Sequence, residues 1–116
     1  MTTKRIVVGA HYGLKDWLAQ RITAVVLAVY TVILGLAVLA GPPLAQASWK
    51  SLFASPFIKV LTVLAFVALA WHAWIGVRDI FMDYIKPTAV RLTLQVATII
   101  LLFAYVIWAA NILWSV

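Results

Sequence analysis

The stretch WHAWIGVRDIFMDYIKP, Trp71 to Pro87, gathers one of the chain's two histidines, His72, and two of its three acids, Asp79 and Asp83, at the end of an apolar run. These groups do chemistry that aliphatic side chains cannot. A neutral imidazole inside a membrane can hydrogen-bond a neighbouring helix, or it can serve as an axial ligand of haem iron. A carboxylate beside a phenol, as in Asp83 and Tyr84, can supply a proton and a hydrogen bond to a lipid-soluble carbonyl compound, and a quinone headgroup needs both. Arg21, next to Gln20, can grip an anionic group such as a propionate through two parallel hydrogen bonds, or it can anchor to lipid phosphate.

Spacing relates these groups to one another. On a helix, Ala65, Ala68 and Gly76 share the face of His72 and leave room there for something flat and bulky. Offsets of 7 and 11 residues bring Asp79 and Asp83 within about 20° of that face, with Asp83 roughly 16 Å further along the axis. Each group also has a plainer use. His72 can pack across a helix interface, Tyr84 can sit in an interfacial aromatic belt, and Asp83 can pair with Lys86 or Arg78. The spans contain no second histidine, so a six-coordinate haem would need one from another subunit. His11, in the polar tail with Tyr12 and Gly13, is expected in solvent or at a subunit contact, and Gln95 and Asn111 are expected to hydrogen-bond between helices.

The elements that must position these residues follow from composition. Of 116 residues, 66% are hydrophobic and 10% charged, with a mean hydropathy of +1.10, outside the range of soluble domains. Three apolar runs reach the roughly 20 residues needed to cross a bilayer. ITAVVLAVYTVILGLAVLA follows Arg21 and stops at Gly41, Pro42 and Pro43; the second run spans Phe57 to Val77; the third spans Leu92 to Trp114. Hydrocarbon offers backbone groups no partners outside a helix or a closed barrel. The expected fold is all-α integral membrane, a single domain of three transmembrane helices at about 17–41, 55–83 and 89–114. Lys59, near the start of the second run, can snorkel to the interface.

Lys4, Arg5, Lys15, Arg21, Arg78, Lys86 and Arg91 fall on one side of such a bundle, and only Lys50 and Lys59 on the other. The positive-inside rule then places the N-terminus and the Arg78 to Arg91 loop in the cytoplasm. PLAQAS has the look of a cleavage site, but the apolar run before it is longer than a signal h-region, so the first span is expected to be retained. The absence of cysteine removes disulfides, thiolate metal sites and a cysteine nucleophile. The net charge of +6 lies beside apolar runs, where it serves topology and anionic lipid rather than nucleic acid. A proton-coupled transporter would place a carboxylate in mid-span, whereas Asp16, Asp79 and Asp83 lie at span ends.

DWLAQRITAVVLAVY, then HAWIGVRDIFMDYIKP and RLTLQVATI, resembles the smaller hydrophobic anchor subunit of bacterial succinate dehydrogenase, the D subunit of respiratory complex II, from about Asp16 to the C-terminus. The resemblance implies a bacterial inner membrane location and pairing with a second three-helix, cytochrome b556-type anchor subunit. It implies a flavoprotein subunit with FAD, an iron-sulfur subunit with its clusters, and ubiquinone as electron acceptor. It further implies that His72 is one axial ligand of haem b, that Tyr84 hydrogen-bonds a quinone carbonyl with Asp83 supporting protonation, and that Arg21 lies near the haem propionates and quinone pocket. A haem-free structural anchor, as in a related fumarate reductase, is the competing expectation.

Overall fold

A computed structural model describes residues 8–116, with side chains from Gly13 onward. Four helices follow in order: α1 (Val8–Ala40), α2 (Gln46–Ala54), α3 (Pro56–Tyr84) and α4 (Thr88–Trp114). Three of them, α1 from Gly13 onward, α3 and α4, are long and apolar enough to cross a membrane. The three expected spans are therefore present. His11 falls outside the described side chains.

Local sequence sets each boundary. A Cβ at Gly41 would lie 2.8 Å from the Ala37 carbonyl oxygen, so glycine alone fits where α1 ends, and Pro42 and Pro43 prevent its continuation. Pro56 occupies the first turn of α3, where its missing N–H costs nothing. The other end of α3 closes with an Ile85 N–H to Phe81 carbonyl bond of 2.9 Å, and Ile85 is already extended. Lys86 precedes Pro87, which disfavours helix there, and Pro87 then caps α4 by accepting the Arg91 N–H at 3.0 Å.

The short α2 lies in what composition marks only as a connection. Its Trp49 and Phe53, one turn apart, stack with ring centroids 5.6 Å apart and an interplanar angle of 7°. Ser48 Oγ donates to the Pro43 carbonyl at 2.8 Å and ties its first turn to the preceding loop.

The hub is α3, which packs on α1, α2 and α4. Its seam toward α1 includes the buried residues Thr62, Ala65, Ala68 and Ile75 at helical spacing. Two polar bridges cross that seam: Tyr30 Oη to Thr62 Oγ1 at 2.8 Å and Thr23 Oγ1 to His72 Nδ1 at 3.0 Å. In hydrocarbon such bonds, with close packing of small residues, hold helices together where apolar burial cannot. Ala65 and Ala68, at 4% and 7% exposure, are thus filled contact points rather than vacant space beside His72. Open space lies instead at Gly76, where a Cβ would meet nothing within 4 Å.

Few side chains of α4 are buried, and its expected interhelical bonds are not made among the described residues. Gln95 and Asn111 have no hydrogen-bond partner among the described residues, and Asn111 is exposed. The Lys59 Nζ lies 5.7 Å from the Trp114 ring centre at the end of α4, a cation–π contact between α3 and α4.

Candidate functional site in the cleft between the first and third helices

The end of the bundle that carries Arg21 and Arg78 opens into a cleft of about 520 Å³ between α1 and α3. From α1 come Asp16, Trp17, Gln20 and Arg21; from α3 come His72, Ile75 and Asp79. Spacings of one turn, 17 to 21 on α1 and 72 to 75 on α3, aim these residues at a common space. Asp79 therefore joins His72 along one seam, as the offset of 7 residues requires.

Ion pairing at the cleft mouth differs from the pairing expected for Asp83. Arg78 donates from Nη2 to Asp16 Oδ2, linking α3 to α1, and the same nitrogen lies 3.9 Å from Asp79 Oδ1. Arg78 is thus committed to Asp16 and Asp79. Lys86 donates to the backbone carbonyl of Asp83 at 3.3 Å, not to its carboxylate. The Asp83 carboxylate consequently forms no ion pair among the described residues. Asp83 and Tyr84 are both exposed, Tyr84 at 77%, on the last turn of α3. They are adjacent to the cleft in sequence but do not line it.

Arg21 lies over the Trp17 ring at 5.4 Å and has no carboxylate partner among the described residues. A stacked guanidinium with its donors uncommitted is suited to an anionic group in or beside the cleft. Two further polar atoms are buried without partners, Gln20 Oε1 and Arg78 Nε. Burying such groups unpaired costs about 1–3 kcal/mol each.

His72 is half-buried, with one ring nitrogen engaged by Thr23 and Nε2 without a partner among the described residues. That is the donor set of a metal-bound imidazole, which keeps one nitrogen for the metal and ties the other to a protein group. The residues therefore fit one side of a haem: an imidazole nitrogen for the iron and Arg21 for a propionate. No group of three or more His, Asp or Glu residues comes together among the described residues.

The pattern of residues did not disclose the Thr23 bond or the partnership of Asp16. Thr23 is 4% exposed in a span that otherwise reads as lipid-facing, and its position opposite His72 depends on how α1 and α3 are rotated against each other. A threonine two residues after Arg21 was the available signal, because a hydroxyl in hydrocarbon needs a partner.

The family model described as "Succinate dehydrogenase/Fumarate reductase transmembrane subunit" matches residues 1–108. The succinate dehydrogenase hydrophobic membrane anchor subunit of Coxiella burnetii (strain RSA 493 / Nine Mile phase I) is 37% identical over 102 residues, covering 88% of this chain and 89% of that protein. The expected resemblance is present along most of the chain. With three helices fit to cross a membrane and a polar cleft at one end, this chain belongs to the succinate dehydrogenase/fumarate reductase transmembrane subunit family.

Proposed function

We propose that this chain is the hydrophobic membrane anchor subunit of a succinate dehydrogenase, that His72 is one axial ligand of a haem b shared with a cytochrome b556-type anchor subunit, and that Asp83 and Tyr84 help form the ubiquinone-reduction site. The observation that carries the proposal is the state of His72: in a helix long and apolar enough to cross a membrane, beside a cleft, with Nδ1 tied to Thr23 and Nε2 without a partner among the described residues. Arg21 faces the propionates or the quinone pocket. The complex lies in the bacterial cytoplasmic membrane, with FAD in a flavoprotein subunit and iron-sulfur clusters in a second soluble subunit on the cytoplasmic side.

In this scheme haem b, when bound, supplies a one-electron store close to the quinone site. The chain's own residues bind and orient. Tyr84 donates a hydrogen bond from its phenol to a quinone carbonyl and fixes the ring's position. The Asp83 carboxylate, without an ion-pair partner among the described residues, passes a proton from water at the membrane surface to the reduced oxygen. The apolar flanks of α3 guide the quinone from the bilayer.

One observation favours a haem-free anchor of a related enzyme such as a fumarate reductase: a histidine bonded to Thr23 above buried Ala68 is also what a packing histidine looks like. A succinate-reduced minus oxidised difference spectrum of the complex, purified in mild detergent through a tag on this chain, separates the two. Sharp b-type bands that are lost or shifted in His72→Ala support haem ligation. Absence of bands with both succinate and dithionite leaves the haem-free anchor.

A further inference from the structure

The direction of the bond between α1 and α3 at His72 depends on where the Thr23 hydroxyl hydrogen lies. Thr23 has one hydroxyl hydrogen, and two backbone carbonyls of its own helix lie within its reach, Ala19 at 2.7 Å and Gln20 at 3.2 Å. A threonine in mid-helix donates to such carbonyls one turn back. With its hydrogen on the backbone, Thr23 Oγ1 can only accept from His72 across the 3.0 Å that separates them. The Tyr30 to Thr62 pair has the same layout, with Thr62 Oγ1 2.7 Å from the Ile58 carbonyl and 2.8 Å from the tyrosine hydroxyl.

We propose that Thr23 is a positioning residue that sets the tautomer of His72, holding its proton on Nδ1 and leaving the lone pair on Nε2. Thr23 is 4% exposed and Ile75, one turn from His72, is 2% exposed, so the hydroxyl side of the bond is shielded from water while the rest of the ring faces the cleft. In a neutral ring tied in this way Nε2 carries the lone pair and is the acceptor. An Nδ1–H donated to an oxygen also raises the basicity of Nε2 toward a metal. This second consequence rests on the haem reading above; the tautomer itself does not.

The first test reads the tautomer without any cofactor. The full chain is produced with ¹⁵N-labelled histidine, reconstituted in lipid bilayers, and observed by solid-state nitrogen NMR at pH 8. Because the chain has only two histidines, a His11→Asn background leaves His72 as the single signal. A protonated Nδ1 with a bare Nε2 is expected, redistribution toward Nε2–H in Thr23→Val, and return to the original form in Thr23→Ser. A wild-type ring protonated on Nε2, or a Thr23→Val spectrum identical to wild type, overturns the proposal.

The second test uses the assembled complex. Thr23→Val removes the acceptor, weakens the ligand's donation to ferric iron, and should raise the haem midpoint potential, with Thr23→Ser restoring it. A retained b-type haem with unchanged potential in Thr23→Val overturns the tuning role. Absence of b-type bands in the wild-type complex instead refutes the haem reading, and the NMR measurement still decides the tautomer.

Discussion

Asp83 and Tyr84 occupy the last turn of α3, where the helix leaves the apolar run and before Pro87 redirects the chain. Neither side chain is engaged by a charged partner among the described residues, and Tyr84 is 77% exposed. Removing the Tyr84 hydroxyl should therefore leave folding intact and act on the bound quinone. A hydrogen bond of about 1.4 kcal/mol corresponds to a tenfold loss, so Tyr84→Phe is expected to lower ubiquinone reduction about tenfold. Asp83→Asn should lower it further if it carries the proton. Succinate oxidation through a soluble artificial acceptor should stay at the wild-type rate in both, and a parallel loss of the two activities would place the defect in assembly instead. The position of this pair at the end of α3 was legible from the linear order of acid, phenol and proline. The partner of Asp16 was not, because Arg78 lies 62 positions away and nothing local specifies which turn of α1 meets which turn of α3.

At the scale of helices, the α1/α3 contact is held by two kinds of feature, small residues in the membrane and an ion pair at its edge. Ala65 and Ala68 were legible as a small-residue face, but whether that face is filled by a ligand or by α1 depends on the helix rotation, and α1 fills it. Ala68→Leu would add three carbon atoms to a position that is 7% exposed. Overpacking of this kind costs about 1–3 kcal/mol, and here it also forces α1 away from the Thr23 to His72 bond. We expect a lower yield of assembled complex, measured by size-exclusion chromatography, whereas Leu69→Ala, at the exposed position next to it, should leave the yield unchanged. The Asp16–Arg78 pair is partly exposed, at 37% and 27%, so its contribution lies between that of a surface and a buried pair, about 1–2 kcal/mol. Asp16→Asn and Arg78→Gln should each lower the thermal midpoint of the complex, and the double substitution should cost less than the sum of the two. Strict additivity would mean that the two side chains do not interact.

For the molecule as a whole, three spans were legible because length and hydropathy alone decide them, whereas α2 was not: nine residues of mixed polarity carry too little periodicity, and its order comes from the Trp49–Phe53 stack and from packing on α3. The site needs a particular orientation of this bundle. Arg21, Asp79, Asp83 and Tyr84 lie at one end, with Lys15, Arg78, Lys86 and Arg91, and the proposed function requires that end to face the cytoplasm. The absence of cysteine makes this directly measurable, since a single introduced thiol reports without background. Ser51→Cys in exposed α2 and Thr88→Cys at the exposed start of α4 mark the two ends. In inverted membrane vesicles a membrane-impermeant maleimide should label the thiol introduced at Thr88 and spare the one at Ser51; in spheroplasts the pattern should reverse. Labelling of position 88 from the outside would put Asp83 and Tyr84 on the side away from the soluble subunits, and no quinone site built on them could then receive electrons from succinate.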